Sequence, residues 1–118
     1  MKIISKKVGD VLVLEVSGKV VGDDSLQMRR EIAGWLNEVP DTQKLKVALK
    51  LNGVSMMDSA GIGTLVSSYT SVQKRQGRLV LAGLGRGLQN LIAITQLAKI
   101  FDVYENEEQA VKSFEESK

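Results

Sequence analysis

Alternating and apolar stretches along the chain predict five β-strands. Residues 2–8 and 11–17 are rich in Ile and Val, and a Gly-Asp pair between them favours a β-hairpin. Residues 45–51 alternate apolar and polar side chains, which is typical of a strand. Two shorter apolar stretches, residues 78–82 and 100–104, predict the remaining strands.

Helical spacing of apolar side chains predicts two helices in the first two thirds of the chain. Asp24 is interpreted as the N-cap of the first helix and Gln27 as its partner in a capping box, with the helix ending near Pro40. The second helix is expected from Ser59 to about Gln76, with a core-facing stripe along one side.

Two further helices complete the predicted order. Gly77 is interpreted as the C-cap of the second helix, and a third helix is expected over residues 88–98, after the glycine-rich stretch 83–87. Asn106 is predicted to cap a closing helix. The strands alternate with helices after the hairpin, so the chain is predicted to be a single α/β domain over residues 1–118. Its expected order is ββαβαβαβα, with a mixed sheet that is a hairpin followed by parallel strands.

The segment Val-Ser-Met-Met-Asp-Ser-Ala-Gly-Ile-Gly, residues 54–63, holds the main candidates for function. A loop at residues 52–55 is predicted to lead from the third strand towards the second helix. Asp58 or Ser59 would then be an ordinary N-cap of that helix. The two methionines that precede Asp58 would, in the same interpretation, fill the core.

Two features of the second helix favour a binding role over that ordinary interpretation. Gly61 and Gly63 lie in its first turns, where each glycine costs about 0.5–1 kcal/mol relative to alanine, so close approach by another backbone or by a partner is expected. Its polar side carries hydroxyls and no charge before Lys74, whereas a solvated face usually carries Lys or Glu. The hydroxyl side chains are those of Thr64, Ser67, Ser68 and Ser71.

The amino-acid composition excludes several kinds of catalytic and metal-binding site. The 118 residues include no His, and no Cys, which removes disulfides, Cys/His metal sites and His general bases. As a nucleophile Ser59 would need a Lys base, and no Ser-x-x-Lys surrounds it, so we expect neither an enzyme nor a bound cofactor or metal. The net charge of +2 is too small to indicate nucleic acid.

Charge and hydropathy along the chain add two expectations. Residues 102–118 hold six acids and two bases, while residues 59–101 hold five bases and no acid, which we interpret as solvated surface. No apolar stretch approaches the ~18 residues needed to span a bilayer, and the N-terminus lacks the apolar core of a secretory signal. A soluble, cytoplasmic protein without a membrane partner is therefore expected.

The motif Asp-Ser-Ala-Gly-Ile-Gly at residues 58–63, together with residues 77–84 and 92–97, resembles the STAS domains of bacterial anti-sigma factor antagonists over nearly the whole chain. The resemblance implies that Ser59 is phosphorylated by a partner serine kinase that doubles as the anti-sigma factor. The unmodified protein would bind this partner and free a sigma factor, and a metal-dependent serine phosphatase would restore the unmodified form. The second Ser or Thr often found in the motif is replaced by Ala60, so Ser59 is its one acceptor.

The surface expected to contact the partner surrounds Ser59. An added phosphate would carry about −1.5 to −2 charges beside the carboxylate of Asp58, and a partner would have to desolvate both. The expected contact residues are Asp23, Met56, Met57, Asp58, Ser59, Ala60, Gly61 and Gly63. Asp23 belongs to this set only if its loop lies on the same edge as Ser59.

Two alternative functions stay open at this point. The domain would also suit a scaffold subunit of a stress-sensing signalling assembly, in which phosphorylation of the same motif releases a kinase. A nucleotide-binding module is the other alternative, because residues 83–87 form a glycine loop between a strand and a helix. Their G-x-G-x-G spacing departs from the usual G-x-G-x-x-G pattern, and the sequence leaves the oligomeric state open.

Overall fold

The chain folds into a five-stranded mixed sheet with helices on both faces, and the computed structural model describes residues 1–115. The strands are β1 (Lys2–Val8), β2 (Val11–Val20), β3 (Lys46–Met57), β4 (Arg78–Ala82) and β5 (Asp102–Tyr104). The helices are α1 (Asp23–Asn37), α2 (Ser59–Lys74), α3 (Arg86–Ile94) and α4 (Glu107–Glu115), with a 3-10 turn at Leu97–Lys99. The predicted α/β class and the order ββαβαβαβα are confirmed; residues 116–118 of the expected domain lie outside the described residues.

Sequential strand order decides where the helices lie. β1 pairs antiparallel with β2, and β2, β3, β4 and β5 then follow side by side in parallel. Connections between parallel strands are right-handed almost without exception, so three crossovers in one direction place α1, α2 and α3 on the same face. The larger apolar cluster lies beneath them, and a smaller cluster lies beneath α4 on the opposite face.

Alternation along the central strands supplies both clusters. Leu14, Leu49 and Leu81 point into the larger cluster, whereas the residues that directly precede them point to the α4 side. This is the period of two that predicted the strands. The three residues on the α4 side are Val13, Ala48 and Val80.

Helix α4 is held on its face by ionic and aromatic contacts. The guanidinium of Arg78 lies 5.1 Å from the ring centroid of the buried Phe114, and it donates a hydrogen bond of 2.9 Å to Asp102. Lys6 on β1 pairs with Glu107 at 2.8 Å. Some of the C-terminal acids interpreted as solvated surface therefore pair with bases of the sheet.

The predicted capping box at the start of α1 is wrong. The helix begins at Asp23, its N-cap is Gly22 without any side-chain cap, and Asp24 already lies inside the first turn. The side chain of Gln27 donates instead to Glu31, one turn further along. The reason is that the N–H of Gly22 is bound by a carboxylate from another element, as described below.

The end of α2 also differs from expectation. The residue with left-handed backbone is Gln76, with φ of 58°, and not Gly77. A side chain at Gly77 would instead clash with the backbone oxygen of Leu45, so close approach to the neighbouring strand explains this glycine. The cap predicted for α4 is confirmed, since Asn106 Oδ1 accepts the N–H of Gln109 at 2.9 Å.

The loop predicted at residues 52–55 is wrong, because β3 continues through it to Met57. Its second half pairs with the end of β2, with register shifts between Glu15 and Ser17 and again between Gly18 and Lys19. Such bulges interrupt the alternation of buried and exposed side chains, and the strand therefore lost its sequence signal.

Candidate functional site

One carboxylate organises the end of β3. Asp58 is the N-cap of α2, and its Oδ1 accepts the N–H of Gly61 at 2.9 Å. Its Oδ2 accepts the N–H of Gly22 at 2.8 Å, and the hydroxyl of Ser25 donates to Oδ1 at 3.2 Å. Asp58 therefore holds the N-termini of α1 and α2 together, and the predicted capping role is confirmed.

These donors keep the carboxylate charged. The N–H of Gly22, followed by that of Gly61, lowers the pKa of Asp58 below its ordinary value. The positive ends of two helix dipoles lie at the same place and favour the same charge. At neutral pH the site is thus built around a fixed negative charge.

Ser59 follows as the first residue of α2, and its side chain is exposed. Within residues 1–115, its hydroxyl has no hydrogen-bond partner, and its exposure makes it accessible from solvent. Ala60 beside it is exposed as well. The start of a helix receives negative charge well, because its first N–H groups lack partners within the helix. Phosphorylation of Ser59 stays a prediction.

The two methionines take different positions. Met57 is half-buried and packs against the larger cluster, as a core-filling role requires. Met56 is 56% exposed, so the interpretation that both fill the core is wrong for this residue. An exposed methionine two residues from Asp58 instead offers flexible apolar surface.

The two glycines of the motif differ in the same way. A side chain at Gly61 would clash with the side chain of Met57 and would lie 3.2 Å from the backbone oxygen of Val20. Close packing against the Met57 side chain, with the backbone oxygen of Val20 nearby, therefore explains Gly61. At Gly63 an added Cβ would meet nothing within 4 Å, so the described residues supply no packing reason for this glycine.

Open space beside Gly63 forms a shallow pocket of about 310 Å³ between the first turns of α1 and α2. Its walls include Ala60 on α2 and the side chains of Leu26 and Arg29 on α1. Leu26 is 46% exposed. Sequence reasoning missed both α1 residues, because nothing in their local pattern distinguishes them from an ordinary solvated helix face.

Asp23 lies exposed at the start of α1, next to the glycine whose N–H is bound by Asp58. The structure thus brings Asp23 to the same end of the sheet as Ser59, which satisfies the condition attached to it. All eight predicted contact residues lie at this end of the molecule, although Gly61 is buried. Their contact with a partner stays a prediction.

The uncharged side of α2 has a partly different explanation from the one expected. Thr64 and Ser68 are buried, and the hydroxyl of Thr64 donates to the backbone oxygen of Ser25 on α1 at 3.1 Å. The hydroxyl of Ser68 donates to the backbone oxygen of Thr64 at 2.8 Å. Burial therefore accounts for half of the stripe, and a hydrogen bond to α1 is shown for Thr64. The stripe was the available signal for the missed contribution of Ser25.

The glycine loop at residues 83–87, the candidate nucleotide-binding site, leads into α3. Gly85 is the N-cap of α3 without a side-chain cap, and Arg86 is exposed. Among residues 1–115, no group of three or more acidic side chains is placed to hold a metal ion. None of the helices described for the chain has the length and apolar character required to cross a membrane.

A mixed sheet of this topology with an Asp-Ser pair at the start of α2 defines an α/β domain of STAS type. The family model of the STAS domain matches residues 2–110. The chain therefore belongs to the STAS domain family.

Individual relatives agree with this assignment. An anti-sigma-B factor antagonist of Listeria monocytogenes is 42% identical over 55 residues, which are 47% of this chain and 48% of the relative, so the match spans about half of that protein. The structure of an anti-sigma factor antagonist from Mycobacterium paratuberculosis superposes with a TM-score of 0.83 at 20% identity, covering 95% and 92% of the two chains. The Bacillus cell fate determinant SpoIIAA in its phosphorylated form gives a TM-score of 0.67 at 18% identity, covering 96% and 99%. At these identities the two structures show a shared fold.

Proposed function

We propose that this protein is a cytoplasmic anti-sigma factor antagonist. The unphosphorylated form binds an anti-sigma factor that is also a serine kinase, and the sigma factor is thereby released. The observation that carries the proposal is the exposed hydroxyl of Ser59 at the start of α2, which has no hydrogen-bond partner among residues 1–115. The name of the Listeria relative and the phosphorylated form of SpoIIAA support it.

The switch is a phosphoryl transfer. The Oγ of Ser59 attacks the γ-phosphorus of ATP held by the kinase, ADP leaves, and the hydroxyl proton passes to a base of the kinase. A metal-dependent serine phosphatase hydrolyses the ester and returns the free hydroxyl with inorganic phosphate. This chain contributes only the acceptor, which agrees with its lack of histidine and cysteine.

The phosphate acts on binding through charge. It adds about −1.5 to −2 charges next to Asp58, whose oxygens already accept three donors. A partner that packs over Met56, Leu26 and the pocket beside Gly63 must remove water from that charge. An unpaired charge buried in this way costs about 3–5 kcal/mol, which weakens binding more than about 100-fold.

Intact-mass measurement tests the modification. The protein is incubated with ATP and a serine kinase of the anti-sigma type, and we expect the mass of one phosphate to be added. Ser59→Ala should gain none. Ser55→Ala removes another exposed hydroxyl at the same end of the sheet and should still be modified. A phosphate that persists on Ser59→Ala would place the site elsewhere.

Calorimetry then tests the switch. The unmodified protein should bind the anti-sigma factor, and the purified phosphoprotein should bind it more than about 100-fold more weakly. Equal affinities of the two forms would contradict the proposed function even if Ser59 is the modified residue.

A further inference from the structure

The last third of β3 has a strand neighbour on one side only. β4 ends at Ala82, opposite Lys50, whereas β3 continues beside β2 to Met57. No other strand of residues 1–115 pairs with residues 54–57 on the side that faces α3. An unpaired strand edge is a template for another strand.

An apolar groove of about 380 Å³ runs along this free edge. One wall is formed by residues 54–57, including the exposed Met56, and the other by Leu88 and Leu91 on α3. Gly85 and Gly87 at the start of α3 also line it, and a side chain at either glycine would meet nothing within 4 Å. Exposed apolar surface of this kind marks interaction sites.

Length and charge define what fits. Four strand residues span roughly 13 Å, so residues 54–57 can pair with a segment of about four residues. Two basic residues are adjacent to residues that line the groove. Arg86 lies between the two lining glycines in the sequence, and Lys19 on β2 is the register partner of Met56 on β3. The carboxylate of Asp58 is already engaged by both helix N-termini.

We propose that this groove binds an extended segment of a partner protein that alternates acidic and apolar residues and adds a strand to the end of β3. The backbone of the segment pairs with residues 54–57, and its apolar side chains contact Met57 and Leu88 on the α3 side. Its acids point to the opposite face, the one that Lys19 shares with Met56. The inference rests on the proposed function, because it assigns a binding mode to the same anti-sigma partner. A phosphate on Ser59, two residues beyond Met57, would repel the acidic segment.

The test uses the full chain labelled with nitrogen-15 and the probe acetyl-Glu-Leu-Glu-Val-Glu-amide. We expect amide shifts at residues 54–57 and 85–88 that saturate with added probe. Two further probes are N-methylated, each on the amides that point to one edge of the segment. Only one edge of the bound segment faces β3, so one of the two probes should bind about tenfold more weakly than the other. A probe with Lys in place of Glu should bind about tenfold more weakly as well.

Matched protein variants localise the binding. Met56→Asp puts a like charge beside the acids of the probe and should abolish the shifts. Ile4→Asp, which changes another exposed apolar residue on the far strand β1, should leave them intact. Absent shifts at residues 54–57 or equal binding of all probes would each overturn the inference. The probe titration contains no kinase, so its result is independent of the phosphorylation assay. If the probe fails to bind but Ser59 is phosphorylated normally, the groove is refuted and the proposed function stands. If the probe binds but Ser59 is not phosphorylated, the proposed function is refuted.

Discussion

Replacing each glycine of the motif by alanine separates packing from partner contact. Gly63 is an interior helical position with open space around an added Cβ, so Gly63→Ala should raise the free energy of unfolding by about 0.5–1 kcal/mol. At Gly61 the same gain is opposed by a clash with Met57 and a 3.2 Å approach to the backbone oxygen of Val20. Overpacking costs about 1–3 kcal/mol, which leaves a net loss of about 0.5–2 kcal/mol.

Equilibrium urea unfolding, followed by the fluorescence of the single tryptophan Trp35, measures both changes. With an m-value of about 2 kcal/mol/M, the midpoint should rise by about 0.25–0.5 M for Gly63→Ala and fall by about 0.25–1 M for Gly61→Ala. A stabilised Gly61→Ala, or a destabilised Gly63→Ala, would refute the packing argument.

Gly63→Ala, together with a change on the opposite wall of the pocket, also tests the surface. If the pocket beside Gly63 contacts the anti-sigma factor, Gly63→Ala should be more stable than the natural protein and yet bind about tenfold more weakly. Leu26→Ser changes the opposite wall of the pocket and should weaken binding without a large loss of stability, because Leu26 is 46% exposed. Unchanged affinity in both variants would remove this pocket from the interface.

Contacts around the site allow three further tests. Folding lowers the pKa of Asp58, so the contribution of its carboxylate to stability is present above the unfolded pKa and is lost as pH falls from about 5 towards 2. In a pH series of urea melts, Asp58→Asn should therefore lose less stability over this range. The part of the loss that is due to Asp10 and Glu107 should remain. Ser25→Ala should cost about 0.5–1.5 kcal/mol by thermal unfolding, since the buried hydroxyl donates to Asp58, and an unchanged melting temperature would contradict this role. Arg75→Lys should cost about 1–3 kcal/mol in the same assay, because only the guanidinium reaches all three backbone oxygens, at 2.8 to 2.9 Å, in the last turn of α1 and just after it.

Local patterns predicted the strands and helices that bury one regular face. β4 and the first half of β3 alternate or bury consistently, and both were found at their expected residues. The second half of β3 was not predicted as a strand, because two register shifts and a missing neighbour strand leave most of its side chains exposed or only half-buried. An alternation of apolar and polar side chains is expected only where one face of a strand is buried, and this segment is a strand with little burial.

Capping was less predictable than periodicity for a related reason. Local sequence favours an N-cap next to the helix, and Asp24 is the acidic residue that fits this pattern. The acceptor of the Gly22 N–H is Asp58, 36 residues away, which only the folded sheet brings into range. Ser25 was missed for the same reason, whereas Asp58 and Ser59 carry a local motif and were found.

The shared cap also determines how a phosphate on Ser59 would act. Asp58 already accepts the N–H of Gly61 and draws α1 and α2 together through Gly22, so a phosphate must compete with it for the donors of the first turn. Such a phosphate would stay on the solvent side of the helix start, where it leaves both helices in place. Loss of binding would then follow from the cost of desolvating the phosphate at the interface, and not from a change of fold.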